Sequence, residues 1–276
     1  MSGTNKPWPV LDESEAPPEI DVTVPSVARM YDYILGGRDN YAVDREAVEG
    51  LMRENPGAQA LAVDNRAFMR RAVRFLVEVA GIRQFVDIGS GLPTRQNVHQ
   101  IAHSVDPGAR VVYVDNDPIV LAHGRALLAD NATTTVIDAD AADPAAIFDN
   151  PETRKFIDVD RPYAVVMVGL LHWIPDADDP AGTVAYIRHL MPSGSYLAAT
   201  NLLADDDPRA DGVEKSLTSR VGGGFFRPWE KHREYFEGLR LVEPGLVYAN
   251  DWRPDRWPSS DDSYATLLTG GVGRKP

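Results

Sequence analysis

The sequence predicts an α/β fold with a mostly parallel sheet, on three observations. Short apolar runs alternate with helix-spaced segments from Phe85 to Thr200, the rhythm of successive βαβ units. One of these runs leads directly into Gly89-Ser90-Gly91, a strand-to-helix turn built for close approach of a ligand to backbone. Consecutive runs also end in acids: Asp87 in the first, Asp115 in the second, Asp138 and Asp140 at the third. A chain of 276 residues, 43% hydrophobic and 25% charged, is long and apolar enough for one large α/β unit with an appendage.

The elements follow in order. Residues 1–24 are proline- and acid-rich, with Trp8 as their one aromatic anchor, and read as a disordered tail that cannot bury enough apolar area to offset its ordering entropy. Val27, Met30, Tyr31, Ile34 and Leu35 repeat at helical spacing after Pro25, and Gly36-Gly37 ends that helix. A second helix carries Val43, Ala47, Val48 and Leu51 up to Asn55-Pro56-Gly57, and a third runs from about Ala60 through Phe68, Ala72 and Leu76 to Gly81. Residues 25–81 therefore form an N-terminal helical cap, and residues 82–276 the main domain. Strands are expected at Phe85–Ile88, Val111–Val114, Thr133–Ile137, Tyr163–Val168 and Tyr196–Thr200, with a helix opening near Thr94. Arg240–Val242, Leu246–Tyr248 and a last strand at Tyr264–Thr269 complete the sheet.

Composition excludes several functions. Lys plus Arg total 28 against 41 Asp plus Glu, a formal charge of −13, the wrong sign for neutralising nucleic-acid phosphates. The absence of cysteine removes disulfides, thiolate metal sites and cysteine nucleophiles. The N-terminus lacks the basic-then-apolar order of a signal peptide, and Ala164–Leu171 is far shorter than the roughly 20 residues of a membrane span, so a cytoplasmic protein without membrane contact is expected.

The glycine turn admits two cofactor readings. A dinucleotide site wants Gly or Ala at the sixth position of its fingerprint, where this chain has Thr94, and Asp87 would repel a pyrophosphate; an NAD-dependent oxidoreductase is thereby disfavoured. The same carboxylate suits S-adenosylmethionine, which carries a sulfonium and an α-ammonium. Asp115 can accept from both hydroxyls of a ribose, and Asp140 from the exocyclic amine of adenine, although Asp143-Pro144 beside it also reads as a helix start. Ser90 lacks the outer glycines of a nucleophile elbow. His99 and His103 have the spacing of a metal-binding helix but Gln100 replaces its glutamate, so a solvent-facing helix is expected there and no metal.

Taken together, VDIGSG, YVDNDP, the Asp140-x-x-Asp143-Pro144 step and the opening SVARMYDYILGGRDNYAVDRE resemble the bacterial S-adenosyl methyltransferase family first catalogued as a domain of unknown function. The resemblance covers about residues 25–270. It implies a Rossmann-like class I methyltransferase with a seven-stranded sheet of order 3-2-1-4-5-7-6, its last strand antiparallel. It also implies S-adenosylmethionine as cofactor and S-adenosylhomocysteine as product, with Asp87, Gly89, Ser90 and Gly91 on the methionine and ribose side, Asp115 at the ribose, Asn116 near the adenine and Asp140 at its amine. Pro93 stands where many such enzymes have a third glycine.

Tyr31, Tyr33, Arg38, Asn40 and Tyr41 surround the double glycine and read either as a lid, with aromatic faces toward the sulfonium and Arg38 toward the methionine carboxylate, or as core tyrosines and a solvated Arg38. His172, after the fourth strand in GLLHWIP, reads either as a general base or as a packed histidine beside Trp173. The expected activity is in-line methyl transfer to a small-molecule or protein-borne acceptor, whose pocket is sought in residues 25–55, 170–180 and 201–230. A non-catalytic binder of the same cofactor, a sensor or partner module, is the alternative. Neither the acceptor nor the oligomeric state is written in the sequence.

Overall fold

The structure, a computed structural model, describes residues 20–93, 96–128, 131–205, 207–255 and 264–276. The expected tail up to residue 19 lies outside them, as do Thr94 and Trp257. Three helices come first: α1 (Val27–Ile34), α2 (Ala42–Glu54) and α3 (Gln59–Glu78). The alternating part follows as β1 (Gln84–Ile88), α4 (Val98–Val105), β2 (Arg110–Asp115), α5 (Pro118–Leu128), β3 (Thr134–Asp138), α6 (Pro144–Asp149) and α7 (Pro151–Phe156). It continues through β4 (Ala164–Met167), α8 (Pro180–Leu190), β5 (Tyr196–Leu202), α9 (Pro208–Val221) and α10 (Trp229–Glu234). Three strands, β6 (Arg240–Leu241), β7 (Val247–Tyr248) and β8 (Leu268–Arg274), end the chain.

The sheet order is β3-β2-β1-β4-β5-β8-β6, with β7 also on β8. β1 to β5 are parallel and β8 runs antiparallel to β5. This is the expected order with eight strands instead of seven, because the segment around Pro244 meets the outer edge of β8 twice, at Leu241–Gly273 and at Val247–Gly270. The last strand starts later than the apolar pattern suggests. Leu268–Arg274 is rich in glycine, a poor strand former, but bulky neighbours require the gaps: a Cβ on Gly270 would come within 2.6 Å of Phe68, and one on Gly273 within 2.9 Å of Leu239.

Side-chain alternation along the strands divides the interior into two layers. Phe85, Val111, Val166 and Ala198 face α3, whose Phe68, Ala72, Val73 and Leu76 are fully buried against them. Val86, Val112, Val165 and Leu197 face the opposite layer, which Ile147 of α6 and Ile187 of α8 cover. Each such side chain contributes about 1.5–3 kcal/mol of burial. Because β2 and β4 leave β1 in opposite directions, a crevice opens beyond the carboxyl ends of β1 and β4.

The helical opening is held by buried polar groups. Ser26 caps α1, and the chain leaves the helix through Gly36 at φ +78°. Asp32 then accepts from the Asp39 N–H and from Asn40 Nδ2, both at 2.8 Å, while a Cβ on Gly37 would lie 1.8 Å from its carboxylate. Asp44, fully buried, pairs with Arg29 Nε at 2.8 Å and accepts from the N–H groups of Ser26 and Tyr41. Among the described residues no helix is long and apolar enough to cross a membrane.

Candidate functional site

The crevice holds a cavity of about 490 Å³. Its floor is the turn after β1. Gly89 and Gly91 have φ of +71° and +64°, a region closed to most side chains, and a Cβ on Gly89 would lie 2.6 Å from Leu170. Both Gly89 and Ser90 donate backbone N–H groups to the Val114 carbonyl, and the Gly91 N–H donates to Asp115 Oδ2 at 2.8 Å. Asp115 thus shapes the glycine turn, while its Oδ1 accepts from the Asp117 N–H. Each carboxylate oxygen retains a lone pair for a further donor. Asp140 and Asn116 are exposed at the ends of β3 and β2 on the same cavity wall. The structure therefore brings Asp87, Gly89, Ser90, Gly91, Asp115, Asn116 and Asp140 to one place.

Asp87 differs from the other acids. No described residue donates a hydrogen bond to it, and burial pushes its carboxyl up to about 7; Arg66 opposes that rise and Asp115 adds to it. Asp143 caps α6 through the Ala146 N–H and takes no part in the cavity lining.

The roof comes from the helical opening. At one end of α1, Ser26 Oγ donates to Asp117 Oδ2 at 2.6 Å, beyond β2. At the other, Tyr31 Oη donates to the Ala62 carbonyl and accepts from Asn65 Nδ2, both at 3.0 Å. Asn65 Oδ1 in turn accepts from Thr200 Oγ1 of β5, which itself accepts from the Gly169 N–H after β4. A Cβ on Gly169 would stand 2.6 Å from Asn65 Nδ2, so glycine is required for this linkage.

Some expected residues stand elsewhere. Tyr33 and Arg38 are not in the cavity lining: Tyr33 Oη donates to Glu49 at 3.3 Å on the outside of α1 and α2, and Arg38 is exposed. Two residues along a helix of 3.6 per turn turn a side chain by about 200°, so Tyr31 and Tyr33 cannot share the inner face. Asn65, Arg66 and Met69 of α3 also line the cavity, and the sequence reading missed all three. The available signal was an amide at position 65 within an otherwise apolar stripe of Leu61, Ala62, Phe68 and Met69.

The histidines of α4 are not solvent-facing as expected. His99 Nδ1 meets Tyr113 Oη at 2.8 Å, and His103 Nε2 meets the Ala109 carbonyl at 2.9 Å, so both tie α4 to β2 and its approach. No cluster of three or more metal-ligating side chains occurs among the described residues. Helix α4 itself opens at Asn97, which forms a reciprocal cap with Gln100, instead of near Thr94.

The profile of a family described as S-adenosyl methyltransferase matches residues 13–276. The chain belongs to this family. Two crystal structures are closely similar in fold and sequence. One, from Thermobifida fusca YX and provisionally described as a methyltransferase, is 42% identical with a TM-score of 0.90, over 95% of this chain and 98% of that one. The other, a DUF574 family protein from Streptomyces avermitilis MA-4680, is 43% identical with a TM-score of 0.88, over 93% and 99%. No curated protein sequence matches the chain.

The family's methyl donor is S-adenosylmethionine, and the cavity suits it. Asp87, to which no described residue donates a hydrogen bond and whose ionised form Arg66 favours, can take a cationic guest, and the glycine turn leaves the room that a Cβ would fill. His172 does not suit the role of base in a methyltransferase. It is buried outside the cavity lining, its ring 5.2 Å from that of Trp173, and burial, with Arg227 and His232 nearby, drives its pKa down to about 3. In the structure His172 is packed beside Trp173.

Proposed function

We propose that this protein catalyses in-line transfer of a methyl group from S-adenosylmethionine to a small-molecule nucleophile, and that Asp87 anchors the cationic end of the donor. The observation that carries the reading is the Asp87 carboxylate beside a glycine turn, to which no described residue donates a hydrogen bond. An NAD pyrophosphate in that place would meet a like charge.

When bound, S-adenosylmethionine supplies an electrophilic methyl carbon attached to a sulfonium leaving group. The chain supplies position. Asp87 takes the α-ammonium at the end of β1, Asp115 the ribose hydroxyls at the end of β2, and Asn116 with Asp140 the adenine toward β3. Ser90 and its flanking glycines present backbone to the ligand between them. Helix α1, pinned at Ser26 and at Tyr31, excludes water from above. Orientation of this kind lowers a bimolecular barrier by up to about 7–11 kcal/mol, so no strongly basic side chain is required when the acceptor already carries a lone pair.

Calorimetric titration with S-adenosylhomocysteine and with NAD tests the reading. The nucleoside thioether binds with saturation and NAD does not. Asp87→Asn weakens binding by about 1–3 kcal/mol, the loss of a charge-assisted hydrogen bond. Unchanged affinity in the folded variant removes Asp87 from the site, and a preference for NAD overturns the assignment.

A further inference from the structure

The donor residues run in one direction across the sheet, from Asp140 at β3 through Asp115 at β2 to Asp87 at β1. The cavity continues past them. Over β4 and β5 it is walled by Tyr31, Asn65, Met69 and Trp173, a group fixed on that side by the Asn65–Thr200 bond and by the position of Trp173 after β4. Granted the donor site proposed above, this end is the space left for the acceptor.

Both of its aromatic side chains are immobilised. Tyr31 is held by the Ala62 carbonyl and Asn65. Trp173 is backed by the His172 ring and by Gly223, where a Cβ would approach its Cε3 to 2.9 Å. The backbone around Trp173 is gripped by Arg227, only 4% exposed, which donates to the carbonyls of Leu171 and Ile174 at 2.8 and 2.5 Å. Arg227 Nε also pairs with Asp176 at 2.8 Å. Met69 adds a polarisable thioether, which favours contact with rings.

None of these four walls offers a base. The Tyr31 phenol has its hydrogen committed to Ala62 and is pushed above its ordinary pKa by burial, and the Asn65 carbonyl is committed to Thr200. Acids edge the opening, Asp117, Asp140 and Asp178 among the lining residues; the cation of the lining, Arg66, acts on Asp87, so the balance of charge disfavours an anion.

We infer that the β4 end of the cavity binds a planar, uncharged aromatic acceptor whose nucleophilic atom already carries a free lone pair at neutral pH, as a heteroaromatic or aryl-amine nitrogen does. Its lone pair forms the new bond to the methyl carbon as the carbon–sulfur bond breaks, and that electron pair stays on sulfur, leaving a neutral thioether. A ring nitrogen keeps the resulting positive charge, and an aryl amine releases its proton to solvent.

The test uses the full chain saturated with S-adenosylhomocysteine, titrated with quinoline, 2-naphthoate and decahydroquinoline. Quinoline binds at least about tenfold more tightly than the anionic or the saturated probe, and Trp173→Leu weakens quinoline about tenfold more than it weakens the thioether, the size of a lost aromatic contact. Gly223→Ala, which displaces Trp173 without removing it, shows the same selective loss. Equal affinity for the three probes, or an equal loss for quinoline and the thioether in both variants, overturns the aromatic site and leaves the donor reading intact. Failure of the thioether to bind at all removes both.

Discussion

At Asp87 the chemistry of the site and its pH dependence meet in one carboxyl group. Its pKa of about 7 in the folded, ligand-free protein means that near pH 6 it is mostly protonated, whereas an ammonium partner selects the ionised form. Donor binding must then expel a proton. Affinity for S-adenosylmethionine is expected to rise from pH 5.5 toward about 7 and then to fall as the donor's own α-amino group, of pKa about 7.7–8.0, loses its charge. Titrations in buffers of different ionisation enthalpy at pH 6 count the proton directly. Asp87→Asn abolishes the low-pH limb and leaves the high-pH limb; persistence of both limbs in that variant excludes Asp87 as the titrating group. Asp115 has a second task that Asp87 lacks, because it holds the Gly91 N–H. Asp115→Ala is therefore expected to cost about 1–3 kcal/mol of donor affinity through lost hydrogen bonds, with an altered turn visible as faster amide exchange at Gly91. Unchanged affinity and exchange would separate Asp115 from both tasks.

The segment from Ser26 to Asp44 owes its particular sequence to folding more than to chemistry at the cavity. Arg29, Asp32, Gly37, Asn40 and Asp44 are engaged with each other or with neighbouring backbone, and only Ser26, Val27, Ala28 and Tyr31 of the stretch reach the cavity. Removing one partner of the buried Arg29–Asp44 pair leaves an uncompensated charge, so Asp44→Ala is expected to lower unfolding free energy by about 3–5 kcal/mol in urea titration. Gly37→Ala, forcing a Cβ against the Asp32 carboxylate, costs about 1–3 kcal/mol by the same measurement. A midpoint unchanged from the parent in either variant contradicts this account of the motif. The same segment marks the boundary of what sequence reveals. Strand ends and the glycine turn are local patterns, so Asp87, Gly89, Gly91 and Asp115 could be placed at the ends of β1 and β2 from the sequence alone, whereas the strand order came with the family resemblance. Tyr31 against Tyr33 is a question of helix rotation, and Asn65 meets Thr200 across 135 positions of chain. Such choices depend on which face α1 and α3 turn toward the sheet, which no short window contains. The start of β8 was hidden for a related reason: its glycines answer to Phe68 and Leu239, distant in sequence and adjacent in space.

Across the whole molecule, burial sets histidines and Asp87 against each other as acidity changes. Burial lowers His172 to about 3, His232 to about 4 and His99 to about 4, against an ordinary value of 6.5, whereas it raises Asp87 from 3.8 to about 7. Between about pH 4.5 and 6 the unfolded chain therefore carries protons on those histidines that the folded chain refuses, and the folded chain carries one on Asp87 that the unfolded chain has released. The three histidines favour unfolding as pH falls, while Asp87, and with it Asp32 and Asp115, whose carboxyls burial also raises, oppose it; the histidines prevail, so stability of the ligand-free protein decreases from about pH 6.5 toward pH 4.5, because the unfolded state binds more protons there. His172 and His232 both feel the charge of Arg227, so a proton on either would stand near that buried cation. His172→Gln is expected to flatten the acid limb while leaving thioether binding at pH 7.5 unchanged, since the ring lies outside the cavity. Saturation with donor steepens the limb, because it holds Asp87 ionised and removes its opposing contribution. Urea titrations at half-unit pH steps, with and without S-adenosylhomocysteine, measure both slopes; a ligand-free stability that is flat or rises on acidification through this interval contradicts the neutral, buried state of these histidines.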